Sequence, residues 1–168
     1  MREVAAVGLL VLGLVGGSAA APAAAIRGLP AEEVEDLQQG RGMGLARAAD
    51  LAGYPGPRHV LDAAATGHVH LTADQLEAVR RLFDTMSAEA RRLGARILDE
   101  EAGLEAAFRE GTIGEAELAA RVDRVGALRA ELRRVHLRAH LQTRALLDAD
   151  QLARYAELRR HDGAAPHH

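Results

Sequence analysis

The sequence predicts an all-α protein whose body is a long antiparallel helical hairpin with short flanking helices. Three observations predict it. Apolar residues recur in steps of three and four over two long stretches. A short glycine-bearing break, Gly111-Thr112-Ile113-Gly114, separates those stretches. Strict alternation of apolar and polar residues, the mark of a strand, occurs nowhere. Composition agrees with this. Aromatics make up 2% of the 168 residues, there is no Trp, and 48% of the chain is hydrophobic. A chain so poor in rings but rich in Ala, Leu, Glu and Arg suits helices packed side by side.

Taken from the N-terminus, Met1-Arg2-Glu3 precedes an uncharged run over residues 4–26, with its apolar heart at 4–15 and small residues after it. A short apolar region followed by small residues looks like a secretory signal peptide. Ser18-Ala19-Ala20 and Ala23-Ala24-Ala25 both fit an A-x-A-like cleavage site. The alternative is an uncleaved N-terminal membrane anchor, because the run approaches the ~20 residues that span a bilayer. On either reading residues 1–25 serve export, and the rest of the chain lies in the periplasm.

Residues 26–42 carry Gly and an acidic cluster (Glu32, Glu33, Glu35, Asp36) and read as a flexible lead or a frayed helix. The folded domain is expected over residues 43–160. It begins with a short helix near 43–52. Gly53-Tyr54-Pro55-Gly56-Pro57 breaks that helix, since proline lacks an amide donor and restricts the residue before it. A second short helix follows over 57–65, and residues 67–71 lead to the main body.

Thr72 is a good N-cap, and Gln75 three residues on completes a capping box. From there Leu76, Val79, Phe83, Met86, Ala90, Leu93, Ile97, Leu104 and Ala107 keep heptad spacing, with one gap at Glu100. Such a stripe demands a partner helix along the same seam. Glu100 can pair with an arginine across it or set the register. After the turn, Glu115 and Glu117 favour the dipole of the second long helix. Leu118, Val122, Val125, Leu128, Leu132, Val135, Ala139 and Leu146 form its stripe. Asp148 then caps a last short helix, with Gln151 three residues later. Residues 161–168 read as a disordered tail.

Leu71-Thr72-Ala73-Asp74-Gln75 is a full LTxxQ motif, and Leu147-Asp148-Ala149-Asp150-Gln151 is a second copy with Asp in place of Thr. Asp caps helices as well as Thr does. Two such copies flanking a helical hairpin resemble the Spy/CpxP family of periplasmic proteins. That fold group includes periplasmic heavy-metal sensors resembling CnrX and the zinc-resistance protein ZraP. The resemblance covers about residues 43–160. It implies a Spy/CpxP/CnrX-like four-helix protomer, often an antiparallel homodimer, with one of two activities. Members hold unfolded client proteins without ATP, or bind metal and report it to a stress-response system through a membrane sensor protein.

The sharpest local signal for chemistry is His136-Leu137-Arg138-Ala139-His140. Two His at i and i+4 lie one turn apart on one helix face, and neutral imidazoles so placed can grip one Zn, Ni, Co or Cu ion. The pair also resembles the His-x-x-x-Met of the metal sensors, with His140 standing where they have Met. If the turn centres near residue 112, His136 faces about residue 88 and His140 about residue 84. Glu89 is then the preferred carboxylate ligand, and Met86 a soft ligand that would tilt the site towards copper. The bland alternatives are a core position for Met86 and salt bridges to Arg133 or Arg144 for Glu89 and Asp84. His59, after the Pro-rich turn, and Met43 are further candidates if the short helices fold over the hairpin. In the sensors, N-terminal histidines do supply ligands, but their His-x-x-x-His pair is missing here. His68 and His70 read as loop histidines.

Several classes are excluded. With 21 Lys+Arg against 24 Asp+Glu the net charge is -3, which lacks the basic face that nucleic-acid binding uses. There is no Cys, hence no disulfide, thiolate or lipid-anchored cysteine. A phosphate loop, G-x-S-x-G and H-E-x-x-H are all missing, and Ser18 and Ser87 are poor nucleophile candidates. The reading is of a binding protein, not an enzyme.

Overall fold

The structure, a computed structural model, describes residues 26–163, with side chains for 26–160. The expected export segment, residues 1–25, lies outside the described residues. These form helices only: α1 (Ala31–Gln39), α2 (Arg47–Leu51), α3 (Pro57–Ala65), α4 (Ala73–Glu110), α5 (Glu115–Leu146) and α6 (Ala149–Gly163). None of the described helices is long and apolar enough to cross a membrane.

The long pair follows from local chemistry at its ends. Thr72 Oγ1 accepts from the Gln75 amide at 3.2 Å, while Gln75 Oε1 accepts from the Thr72 amide at 3.0 Å, so both halves of the capping box form. At the far end Gly111 takes the left-handed conformation (φ 66°), and the amides of Gly111 and Thr112 return to the carbonyls of Phe108 and Ala107. The 38 residues of α4 make a rod roughly 57 Å long. α5 returns along it in the expected register. Arg124 Nε reaches both carboxylate oxygens of Glu100 at 3.1 Å, and Arg121 stands 4.0 Å from the same group. Glu100 is therefore an ion-pair position within the seam.

Apolar packing is concentrated in the middle and at the base of the hairpin. Leu93, Ile97, Leu128, Leu132 and Val135 are buried together with Leu37 from α1. A second cluster joins Val60 of α3, Val79 of α4 and Leu147. A third joins Ala63, Val69 and Tyr155. Near the turn only two helices meet. There Val122, expected in the seam, is 51% exposed and Phe108 is 57% exposed, because no third element covers them.

Residues 31–39, read as a flexible lead or frayed helix, form a helix docked on α4. Its acidic residues face outward or pair: Glu33 receives Arg129 Nη1 at 2.7 Å, while Arg129 Nη2 also reaches Glu101 of α4. Leu37 turns inward, and its carbonyl lies against Gly94, where an added Cβ would stand 2.0 Å from that oxygen. The preceding backbone is held too. The amides of Arg27 and Gly28 donate to Glu105, and these contacts, Gly28 first, hold its carboxylate below the ordinary range. α2 is shorter than expected, whereas α3 has its expected bounds. α6 runs through Gly163, into the stretch expected as tail.

The two LTxxQ-like motifs meet at the base. Gln151 repeats the capping geometry on Asp148: its amide reaches Asp148 Oδ1 at 2.8 Å, and its Oε1 accepts from the Asp148 amide at 3.0 Å. The two glutamine side chains then exchange hydrogen bonds, Gln75 Nε2 to Gln151 Oε1 at 3.0 Å and Gln151 Nε2 to Gln75 Oε1 at 2.9 Å. Each also donates to backbone on the other side, Gln75 to the Leu146 carbonyl and Gln151 to that of His70. A motif that reads as a helix start is thus also the clasp between two helix starts.

Candidate metal centre

α5 carries His136 and His140 towards α4 and under the loop before α3. Both are buried, at 4% and 6% exposure. Proline shapes the cover. Pro55 and Pro57 are buried, with Pro57 at the first turn of α3, where its missing amide costs nothing. The loop backbone can lie on the imidazole because residue 56 is Gly: a Cβ there would stand 2.8 Å from His140 Nε2.

His140 Nδ1 lies 2.8 Å from the Tyr54 carbonyl oxygen. A carbonyl can only accept, so the proton sits on Nδ1, and Nε2 of the neutral ring carries the lone pair. This is the arrangement by which outer-shell partners prepare a histidine for a metal. Asp50 Oδ1 is 3.6 Å from the same Nδ1 and 3.8 Å from His59 Nδ1. His59 meets His140 edge-on, ring centroids 6.5 Å apart. His136 Nε2 is enclosed and has no hydrogen-bond partner among the described residues; the same holds for Asp50 Oδ1. Burial, with His140 nearby, holds the His136 pKa below the ordinary imidazole value. The ring is therefore neutral near pH 7, with a lone pair to offer.

Both histidines open onto a cavity of about 480 Å³, also bordered by His59, Met86, Phe83, Ser87 and residues 40–42. Of the five expected ligands, His136, His140, His59 and Met86 share this cavity. Glu89 does not. Its carboxylate faces Arg92 at 3.9 Å instead of an arginine across the hairpin. Arg144 likewise turns away, stacking over the Tyr54 ring at 4.5 Å and donating to the Gly53 carbonyl. Met43 packs in the apolar cluster around Leu37 and does not border the cavity.

Asp50, Tyr54, Gly56 and Arg91 are parts of the site that the sequence reading did not single out. The Gly-Tyr-Pro-Gly-Pro turn was the available signal for Tyr54 and Gly56. Among the described residues no group of three or more His, Asp or Glu side chains is arranged to hold a metal ion unaided. The donor set that fits a transition metal is the imidazole pair, with the Met86 sulfur and His59 beside it. Compared with protein-family models, with curated proteins and with solved structures, the chain matches none.

Proposed function

We propose that this is a periplasmic stress- or metal-response protein that binds a transition-metal ion, Cu, Zn, Ni or Co, in a sensing or resistance role and without catalysis. The observation that carries the reading is the enclosed imidazole pair: His136 Nε2 lacks a partner and His140 Nε2 is freed by the bond from Nδ1 to Tyr54. His136 and His140 would hold the ion, with Met86 and His59 at the margin. Bound there, the ion would link α5 to the loop and α3, a coupling between ligand and short helices that suits a sensor. The twin capping motifs support a relation to the Spy/CpxP and CnrX-like proteins, with the long pair as the core of their four-helix protomer and a homodimer as the working form. A membrane sensor protein is the partner that such a role implies.

The test is isothermal titration of the four ions into wild type and into the His136→Ala/His140→Ala variant. Binding that disappears in the variant supports the site. Equal binding by both proteins removes it.

The exposure of Phe108 and Val122 near the turn favours one alternative, an ATP-independent chaperone of the Spy/CpxP type that holds unfolded clients by weak apolar contacts. Suppression of client aggregation without metal or ATP, lost on Phe108→Ser/Val122→Ser, would favour it over the metal reading.

A further inference from the structure

Three properties of the cavity fit poorly with a bare cation. The first is size: about 480 Å³ falls within the range of small-molecule sites, roughly 300–1,000 Å³, and far exceeds what one ion needs. The second is charge. Arg41, Arg58 and Arg91 border the cavity and no carboxylate does. Arg41 and Arg58 are held in ion pairs, so a divalent ion entering alone would meet the unpaired charge of Arg91 with no carboxylate on the wall to offset it. Asp50 does not offset this, since it approaches His140 from the Nδ1 side and does not border the cavity. The third is donor count. His136 and His140 fill two coordination positions, and among the described residues no group of three or more His, Asp or Glu is arranged to supply the four to six that transition metals take.

The guanidinium groups are not equivalent. Arg41 pairs with Glu35 and Asp36, and Arg58 with Asp62. Arg91 makes no ion pair with a described residue. Its Nη1 instead donates to the buried Ser87 Oγ at 2.7 Å, which fixes the group at the cavity wall with further donors available.

We infer that the cavity takes its metal ion together with a small carboxylate chelator, the imidazoles of His136 and His140 binding the ion and Arg91 binding the chelator's carboxylate. This rests on the metal reading above and names the form in which the metal arrives. The chelator keeps its bonds to the ion, and the two imidazoles replace bound water. The cavity has room for both, and the chelator's negative charge answers the arginine wall.

Equilibrium dialysis of the full chain with radiolabelled citrate, with and without Ni(II), tests it. Citrate should be retained only when Ni(II) is present. Arg91→Gln should reduce the retained citrate about tenfold, the usual weight of one charge-assisted hydrogen bond, while Ni(II) binding from citrate-free solution, relieved of a like charge, does not weaken. His136→Gln/His140→Gln, checked for intact helix content, should abolish both. Citrate that strips Ni(II) from the protein, citrate retained equally without the metal, or retention indifferent to Arg91→Gln would each overturn the inference and leave the metal site standing. Ni(II) binding indifferent to the histidine substitutions would instead remove the metal reading itself.

Discussion

Gln151→Ala deletes the side chain that joins both ends of the hairpin. It removes the bond from the Asp148 amide, the donation to the His70 carbonyl and both exchanges with Gln75. At a net ~0.5–1.5 kcal/mol for each hydrogen bond, with the site largely buried, the loss should be about 3 kcal/mol. That is a large part of the 5–15 kcal/mol typical of a domain. Gln75→Ala should cost a similar amount, since it removes the Thr72 cap bond and the donation to Leu146 along with the same exchanges. The shared pair is lost only once in the double variant. Its cost should therefore fall short of the sum by about 1–2 kcal/mol. Urea unfolding of the four proteins, followed by far-UV circular dichroism, measures all three quantities. Single losses below about 1 kcal/mol, or a double variant additive within ~0.5 kcal/mol, would refute the clasp.

Gly94→Ala places a methyl on the Leu37 carbonyl, so α1 must move off α4; a cost of about 1–3 kcal/mol and faster proteolysis within residues 31–42 are expected, and unchanged cleavage would contradict the docking. Gly56→Ala needs no unusual backbone (φ −77°) but sets its methyl against His140 Nε2. Metal affinity should fall by at least about tenfold, ~1.4 kcal/mol, and equal affinity would show that this nitrogen is not a ligand. His136 takes its proton less readily folded than unfolded, because burial and His140 lower its pKa. Stability should therefore be full above the unfolded value of about 6.5 and decline as pH falls from there towards the folded pKa. Unfolding midpoints measured across that interval should decline less in His136→Gln; an identical decline would assign it elsewhere.

What the sequence revealed was chiefly local or periodic. The start of α4 at Thr72, its end at Gly111 and the pairing of Glu100 across the seam follow from caps and heptad spacing, which act within a turn or repeat without interruption. The docking of α1 was hidden because its acidic run suggests solvent, while the contact that decides it is one leucine against a glycine 57 positions later. Register says which residues lie opposite His136, but not which way the helix is rotated, so it does not show that Met86 borders the cavity and Glu89 does not. Asp50 meets His140 and His59 only through the fold of the short helices, which no spacing rule encodes.

The hairpin joins two materials end to end. Its base and middle are closed by interlocking apolar side chains and the glutamine exchange, which salt barely touches, whereas the stretch beyond Ile97 towards the turn adds charge pairs such as Glu100 with Arg124 that salt screens readily. Rising ionic strength should therefore loosen the far end while the histidine pocket keeps its shape, so that the rod gains reach and pliancy at one extremity without surrendering its grip at the other.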